Sequence, residues 1–483
     1  MILNNEQIKQ KAHELALTHD PYLSRWTSGA LWKQYYKQVS DIRSFASLLQ
    51  DSSASCAQPA EEWLLDNADF IEEQVIVVKQ QLSRSFLRDL PNLRRTKQKR
   101  VLSICIDYLD HVDGNLDEDS LVMYLNSYQQ VSVLSIAEVW SIPLMMRIAL
   151  INHLAAVMDE VRKQRETCSL AERLLAGIDP TLLSPEVLKT ALDKAGQEIP
   201  LSGSLIVQLI RLLREWADDS ELVREWLICK LDNGPESLDR IVSYEYQLQA
   251  SHQVTTGNLV GSLRNIARWD WNDRFEEISM VENTLVQESR GIYPRLDFSS
   301  RDLLRRQVEK LARRLCVPET LVAKQAVTLS TMEYEQILKE KKHCSDVEDV
   351  PGACEELPRK TLAAFYLLEP EGIKKLQQSM TLCGTPRFLP ETRILPHATA
   401  TYFVTLTVLL ILALSGFSVW IRGNLHFSAA QWIIVVLALL VPASEWVVMT
   451  AHWLIECVRH PQALLKYDFS HGIPSEATTM VVV

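Results

Sequence analysis

Glycine is scarce in this chain of 483 residues, with 15 in all, and runs that alternate apolar and polar side chains are almost absent. Half-buried strands need that alternation, so the sequence reads as all-α. No Cys-x-x-Cys pair occurs among the nine cysteines, which removes the common zinc and redox spacings. The nearest grouping, His343 and Cys344 with Cys354, reads as buried or free thiols of a reducing compartment rather than a metal site. Positive charge is short as well. The net charge of −11, with no basic stripe to offset it, excludes nucleic acid as a partner. The opening MILNNEQIKQKAHELALTHD lacks the basic lead and apolar core of an export signal, so the N-terminal region is expected not to be exported.

Motifs that carry chemistry are missing too. There is no P-loop, no G-x-G-x-x-G and no G-x-S-x-G. His13-Glu14 with His19 misses the H-E-x-x-H spacing. In DHVDGNLDED, Asp110 to Asp119, setting Gly114 at the sixth place of a calcium loop puts Leu109 first and His111 third, where oxygen ligands are required. A Gly114-Asn115 turn with solvated acids is the reading that remains. No catalytic, cofactor-binding or metal-ligating residue is therefore expected in this chain.

What is present is helix. A helix is expected around Ser28–Leu49, then a Ser/Ala-rich link. Leu64, Ile71, Val75, Val78, Leu82 and Phe86 share one helical face, predicting an amphipathic helix that Pro91 ends. Ser135 and Glu138 make a capping box. Behind it, Val139, Pro143, Met146, Leu150, Leu154 and Val157 keep one apolar stripe, with a kink expected at Pro143. Ser184-Pro185 opens a further helix that Gly196 stops, and helices follow over 203–217 and 219–231. Residues 236–290 read as two helices broken near Thr256-Gly257-Asn258. Asp297 or Ser299 can cap a helix with a dense Arg/Lys face, either solvated or lying on anionic headgroups or another domain. Residues 340–358 read as a loop.

The stretch that divides the chain is near its end. Tyr402 to Ile421 carry no charge, and a second apolar run starts at Trp432. A bilayer core takes ~20 apolar residues of helix, so the two runs read as a transmembrane hairpin. The expected organisation is an N-terminal helical segment (1–58), a helical domain (59–369), a proline-bearing linker (370–400), the hairpin (401–458, spans about 402–421 and 432–452) and a final segment (459–483). Arg387, Arg393, Arg459 and Lys466 flank the hairpin, while its loop holds only Arg422. Positive flanks stay inside, which places both ends in the cytoplasm. Tyr402, Trp420 and Trp432 suit the interface belts. Glu445, His452 and Glu456 share one face of the second span. Such residues face protein or water, so this possible intramembrane polar face either packs against further helices and snorkels, or lines a proton or substrate path. Thr479 to Val483 read as the start of a buried strand, and the chain is expected to be cut there.

Several segments together resemble the N-terminal part of the bacterial cyclic β-1,2-glucan synthases. They are AEEWLLDN (Ala60–Asn67), LPNL (Leu90–Leu93), SIAEVWSIPLMMRIAL (Ser135–Leu150), TTGNLVGSLRNI (Thr255–Ile266), Asp270-Trp271, VEN with YPRLDFSSRD (Val281–Asp302) and YDFSHGIPSEATTMVVV (Tyr467–Val483). Around Leu362–Leu368 the chain departs from the family's Gly-Tyr-Tyr-Leu-Ile run. The resemblance implies a large inner-membrane enzyme with a cytoplasmic, UDP-glucose-dependent transferase, of which this chain holds the helical domain, two spans and the first strand of an α/β glycosyltransferase domain. UDP-glucose and a divalent metal are then implied for the transferase domain beyond Val483, and no cofactor for this chain. The expected role is a non-catalytic, membrane-anchoring scaffold, with the bilayer and the transferase domain as partners. The alternative is a stand-alone anchored scaffold or binding protein for a separately encoded glycosyltransferase. A catalytic (α/α) toroid would show paired acids on regularly spaced loops, and none are seen.

Overall fold

The computed structural model describes residues 4–24, 29–51, 58–175, 202–216, 227–228, 235–344, 358–382, 398–424, 428–458, 464–470 and 472–473. The chain divides into two compact units, Met1–Met280 and Val281–Val483. The division falls inside the stretch expected as one helical domain. Among the described residues the structure is all-α apart from one two-stranded sheet.

The first unit opens with α1 (Asn5–Thr18), which starts where Asn4 and Gln7 cap each other reciprocally. A short antiparallel pair ties β1 (Pro21–Tyr22) to β2 (Asn92–Leu93). Helix α2 (Ala30–Asp51) follows, close to the expected span. The predicted single amphipathic helix over 64–86 is instead three: α3 (Pro59–Asp66), α4 (Ala68–Gln81) and α5 (Arg84–Asp89). Asn67 leaves helical geometry between the first two, and Ser83 breaks the third off by capping it through Phe86 N–H at 3.2 Å. Asn and Ser side chains compete with the helical backbone in this way. The apolar stripe survives the breaks, since Leu64, Ile71, Val75, Val78 and Leu82 are all buried.

Helices α6 (Arg100–His111), α7 (Glu118–Gln129) and α8 (Ile136–Leu175) come next. The central element is α8, which continues through Pro143 and packs against α2, α4 and α6 and against α9 (Gly203–Trp216) and α10 (Pro235–Arg268). Ile142, Met145, Met146, Ala149, Leu150 and Leu154 are fully buried along it. Burying each of the larger ones contributes about 1.5–3 kcal/mol. By length and composition α8 could cross a membrane, but 72% of its apolar window is buried inside the protein. The expected break at Thr256-Gly257-Asn258 is absent, because α10 runs straight through it. The Thr255 hydroxyl and the Asn258 amide bind Asp113 at 2.9 and 3.1 Å instead of the local backbone. A Cβ on Gly257 would lie 3.7 Å from the Trp63 ring. The unit closes with α11 (Trp271–Ile278), capped by Asp270.

In the second unit, α12 (Met280–Leu285) leads through a 3₁₀ turn at Tyr293–Arg295 to α13 (Phe298–Leu315), where Asp297 is the cap, and to α14 (Glu319–Cys344). The Arg/Lys face of α13 is not wholly solvated. Arg305 is completely buried against Glu282, and Arg301 turns to the same carboxylate. After a turn at Arg359–Thr361 come α15 (Ala363–Leu368) and α16 (Pro370–Leu382). Residues 370–382, expected to begin the linker, are thus helical. Pro370 occupies a first-turn position, where its missing N–H is harmless, and Gly372 lets α16 close onto α15, since a Cβ there would strike the Phe365 carbonyl. The hairpin is α17 (Ala398–Asn424) and α18 (Ala429–Val458). Both hold windows apolar enough to span a bilayer, Tyr402–Val419 and Gln431–Leu454, and these are exposed.

The expected helix from Ser184-Pro185, most of 219–231, Cys354, the rest of the linker and the terminal strand at 479–483 lie outside the described residues. Among the described residues Cys105, Cys316 and Cys457 are free thiols, and Cys168 on α8 is disulfide-bonded.

Candidate functional site

The sequence nominates Glu445, His452 and Glu456 on α18. All three side chains are exposed. Among the described residues the buried positions of α18 are Ala443, Val447 and Ala451, spaced four apart on one face, and α18 packs against α17. His452 sits beside that face. Its Nε2 lies 3.0 Å from the Tyr402 hydroxyl, and the rings are nearly parallel with centroids 6.1 Å apart. The structure therefore joins His452 to Tyr402, which spacing had marked only as an interface residue. Among the described residues no ion pair joins the three nominated side chains, and no group of His, Cys, Asp or Glu could hold a metal ion. The Tyr402–His452 hydrogen bond pins the two helices together.

A second arrangement lies where the chain leaves the hairpin. Leu296 and Tyr467 form an antiparallel bridge. Around it, Asp297 N–H donates to Lys466 O at 2.9 Å and Asp468 N–H to Arg295 O at 2.8 Å. The Ser300 hydroxyl accepts from Lys466 N–H at 2.8 Å. The receiving segment is itself braced. Tyr293 donates its hydroxyl to Glu282 at 2.5 Å, and Arg305 reaches the same carboxylate at 2.9 Å. Arg305 also lies 4.8 Å over the Phe298 ring. Burial, with Glu282 beside it, raises the Tyr293 pKa far above its ordinary value, so the hydroxyl remains a donor. Glu288 accepts from the backbone of Tyr293 at 3.0 Å and of Ala363 at 2.6 Å. The arrangement is a clasp: a turn braced by buried hydrogen bonds that holds the segment following the second span.

The segments of the first unit that carry the resemblance have comparable duties. Glu61 pairs with Arg165 at 2.6 Å, and Asn67 accepts from Arg264 at 2.5 Å. Glu138 caps Ser135 N–H at 2.9 Å and takes Arg100 Nε at 2.6 Å. Ser262 bridges Gly114 O and Leu116 N–H at 2.7 and 2.8 Å. The Gly114 turn was expected, with φ +71°; of its acids, Asp113 is half-buried, its carboxylate accepting from the Thr255 hydroxyl and its backbone carbonyl from the Asn258 amide of α10.

No family model matches the chain. Over 454 residues it is 26% identical to the cyclic beta-(1,2)-glucan synthase NdvB of Rhizobium meliloti (strain 1021), a match that covers 92% of this chain and 15% of that protein. The chain is an N-terminal-region relative of that glucan synthase. Such a likeness over nearly the whole chain agrees with the resemblance drawn from its segments. The chain spans 15% of the length of the synthase it matches. The exposed apolar hairpin marks it as a membrane protein.

Proposed function

We propose that this chain is the membrane-anchoring, non-catalytic scaffold of a cyclic β-1,2-glucan synthase. The clasp carries the reading. A chain that crosses the bilayer twice and is then gripped at Lys466–Asp468 delivers whatever follows to a fixed place at the membrane surface. The transferase domain, with its UDP-glucose and divalent metal, is what would follow. Both ends of the hairpin would face the cytoplasm across an inner membrane, where a nucleotide-sugar donor is made. The exposed face of Glu445, His452 and Glu456 would pack against further helices of the transferase.

The test is incorporation of UDP-[14C]glucose by membranes that hold residues 1–483, alone and together with a separately expressed transferase region. The scaffold reading expects none from the chain alone, and glucan when the two regions are combined. Glucan made by the chain alone would overturn it.

A further inference from the structure

The first unit holds a cavity of about 450 Å³ between α8, the end of α10 and the start of α11. Its wall includes Phe86, Trp140, Pro143, Arg147, Trp269 and Trp271. Three tryptophans in one pocket are unusual where burial is the only demand, and here only part of each is covered. Trp140 is spoken for, since it stacks on Phe275 with centroids 4.5 Å apart. Trp269 and Trp271 are different. They flank Asp270 at the α10–α11 corner, their rings lie within 9° of parallel, and their centroids are 6.5 Å apart. The indole N–H of Trp271 is buried and has no protein acceptor, a deficit that folded proteins rarely leave.

Arg147 supplies the polar edge. It donates to Gln74 Oε1 and Ile266 O, both at 3.2 Å, and to Pro143 O at 3.5 Å, so its partners are neutral oxygens and two of its five N–H groups remain for a ligand. Among the described residues no carboxylate pairs with it. Burial lowers the Arg147 pKa, as it must for a charge held among neutral groups. A nucleotide diphosphate would fit poorly. It needs several cations or free amides, whereas the pocket offers one guanidinium, and the N-terminus of α11 is already occupied by the Asp270 carboxylate, which accepts from Asn272 N–H at 3.0 Å. Flat electron-rich faces and the remaining N–H groups of one guanidinium suit a molecule with an apolar face and a rim of hydroxyls. That describes a pyranose, whose axial C–H groups lie against indole while its equatorial hydroxyls meet polar groups. The volume lies within the ~300–1,000 Å³ usual for small-molecule sites.

We propose that the Trp269–Trp271 pocket binds a pyranose unit of a neutral glucan chain. That the sugar is a β-1,2-linked glucose oligomer rests on the function proposed above; the pocket itself does not. The scaffold would then hold product as well as position the transferase.

The test uses residues 1–483 in nanodiscs, titrated calorimetrically with sophorose and longer β-1,2-gluco-oligosaccharides, with saturation-transfer NMR to report sugar protons against aromatic rings. Saturable binding is expected, weakened about tenfold or more by Trp269→Ala or Trp271→Ala and largely restored by Trp269→Phe, with thermal midpoints confirming that each variant is folded. No saturation, an affinity unmoved by both alanine variants, or displacement by inorganic phosphate would overturn the proposal. The two readings fail separately. Absent binding with intact support of the transferase removes only the pocket's role, and intact binding by a chain that makes glucan alone removes only the scaffold's.

Discussion

Asp297 and Lys466 lie on opposite sides of the hairpin in sequence and share a backbone hydrogen bond of 2.9 Å. Bonds from Ser300 and Ser299 hold the Asp297 carboxyl below its usual range, and the Lys466 charge adds to this. Ser300 takes part twice, because its N–H caps on Asp297 at 2.8 Å while its hydroxyl accepts from Lys466 N–H. Ser300→Ala keeps the backbone cap and removes the hydroxyl, both as acceptor for Lys466 N–H and as a support of the Asp297 carboxylate. One hydrogen bond contributes about 0.5–1.5 kcal/mol, so amide exchange at Lys466 and Asp468 should accelerate several-fold while α13 stays protected. Equal exchange in both proteins would show that no clasp closes there.

Arg100 and Glu138 should be the most sensitive pair in the first unit. They are 4% and 1% exposed, and Arg100 also reaches Ser132 Oγ at 2.9 Å and Val133 O at 3.1 Å. Breaking a buried pair costs about 3–5 kcal/mol, because the remaining charge stays buried. Glu138→Gln should therefore lower the unfolding midpoint in guanidinium sharply. Adding Arg100→Met should restore part of the loss. Additive losses in the double variant would mean the two residues act independently.

Lys99 makes stability depend on alkaline pH. Its ammonium is buried with Leu90 O as acceptor at 2.8 Å, and desolvation pushes its pKa from 10.5 down to about 8. Between those two values the unfolded chain holds more protons than the folded one, so this residue's contribution to stability rises with pH. Below pH 8 the full burden of the buried charge is present. The thermal midpoint of the wild type, compared with Lys99→Met, should gain on the variant between pH 8 and 10.5. A difference that stays flat across that window would place the Lys99 pKa near its ordinary value.

The orientation proposed for the hairpin can be read with thiol reagents. Cys316 and Cys457 are exposed, one on α13's C-terminal cap and one near the end of α18. A membrane-impermeant maleimide should leave both unlabelled in intact spheroplasts and label both after lysis. Ser428→Cys, at the loop between the spans, should react in intact spheroplasts. The reverse pattern would invert the topology.

The features legible in the sequence were those with local causes. An uncharged run from Tyr402 needs no partner to be recognised as a span, and the Ser135–Glu138 box closes within one helical turn. The cap of α13 was legible as Asp297 or Ser299 for the same reason, and the structure selects Asp297. What escaped depended on distant partners. Nothing near Arg305 announces that Glu282 will bury it, so the basic face read as solvated or as lying on headgroups or another domain. Asn67 ends one helix and begins another because Arg264 and the Trp63 carbonyl, 2.7 Å from its amide, hold it. Thr256-Gly257-Asn258 carries the composition of a break, yet Thr256 bonds back to the His252 carbonyl one turn earlier at 2.7 Å, Trp63 packs over Gly257, and the Asn258 amide is taken by the Asp113 carbonyl. Tyr402 and His452 meet only because two helices pair, and no spacing rule spans that turn.

The burial of α8 has a consequence for the order of events during synthesis. This helix is apolar enough to be mistaken for a span, and α10, which covers part of it, is translated only later. At ~5–20 residues per second, several seconds separate the two, far longer than helix formation takes. During that interval α2, α4 and α6, already made, are what shield α8 from the insertion machinery. Weakening that early layer should send a soluble core helix into the lipid, a failure of sorting rather than of stability.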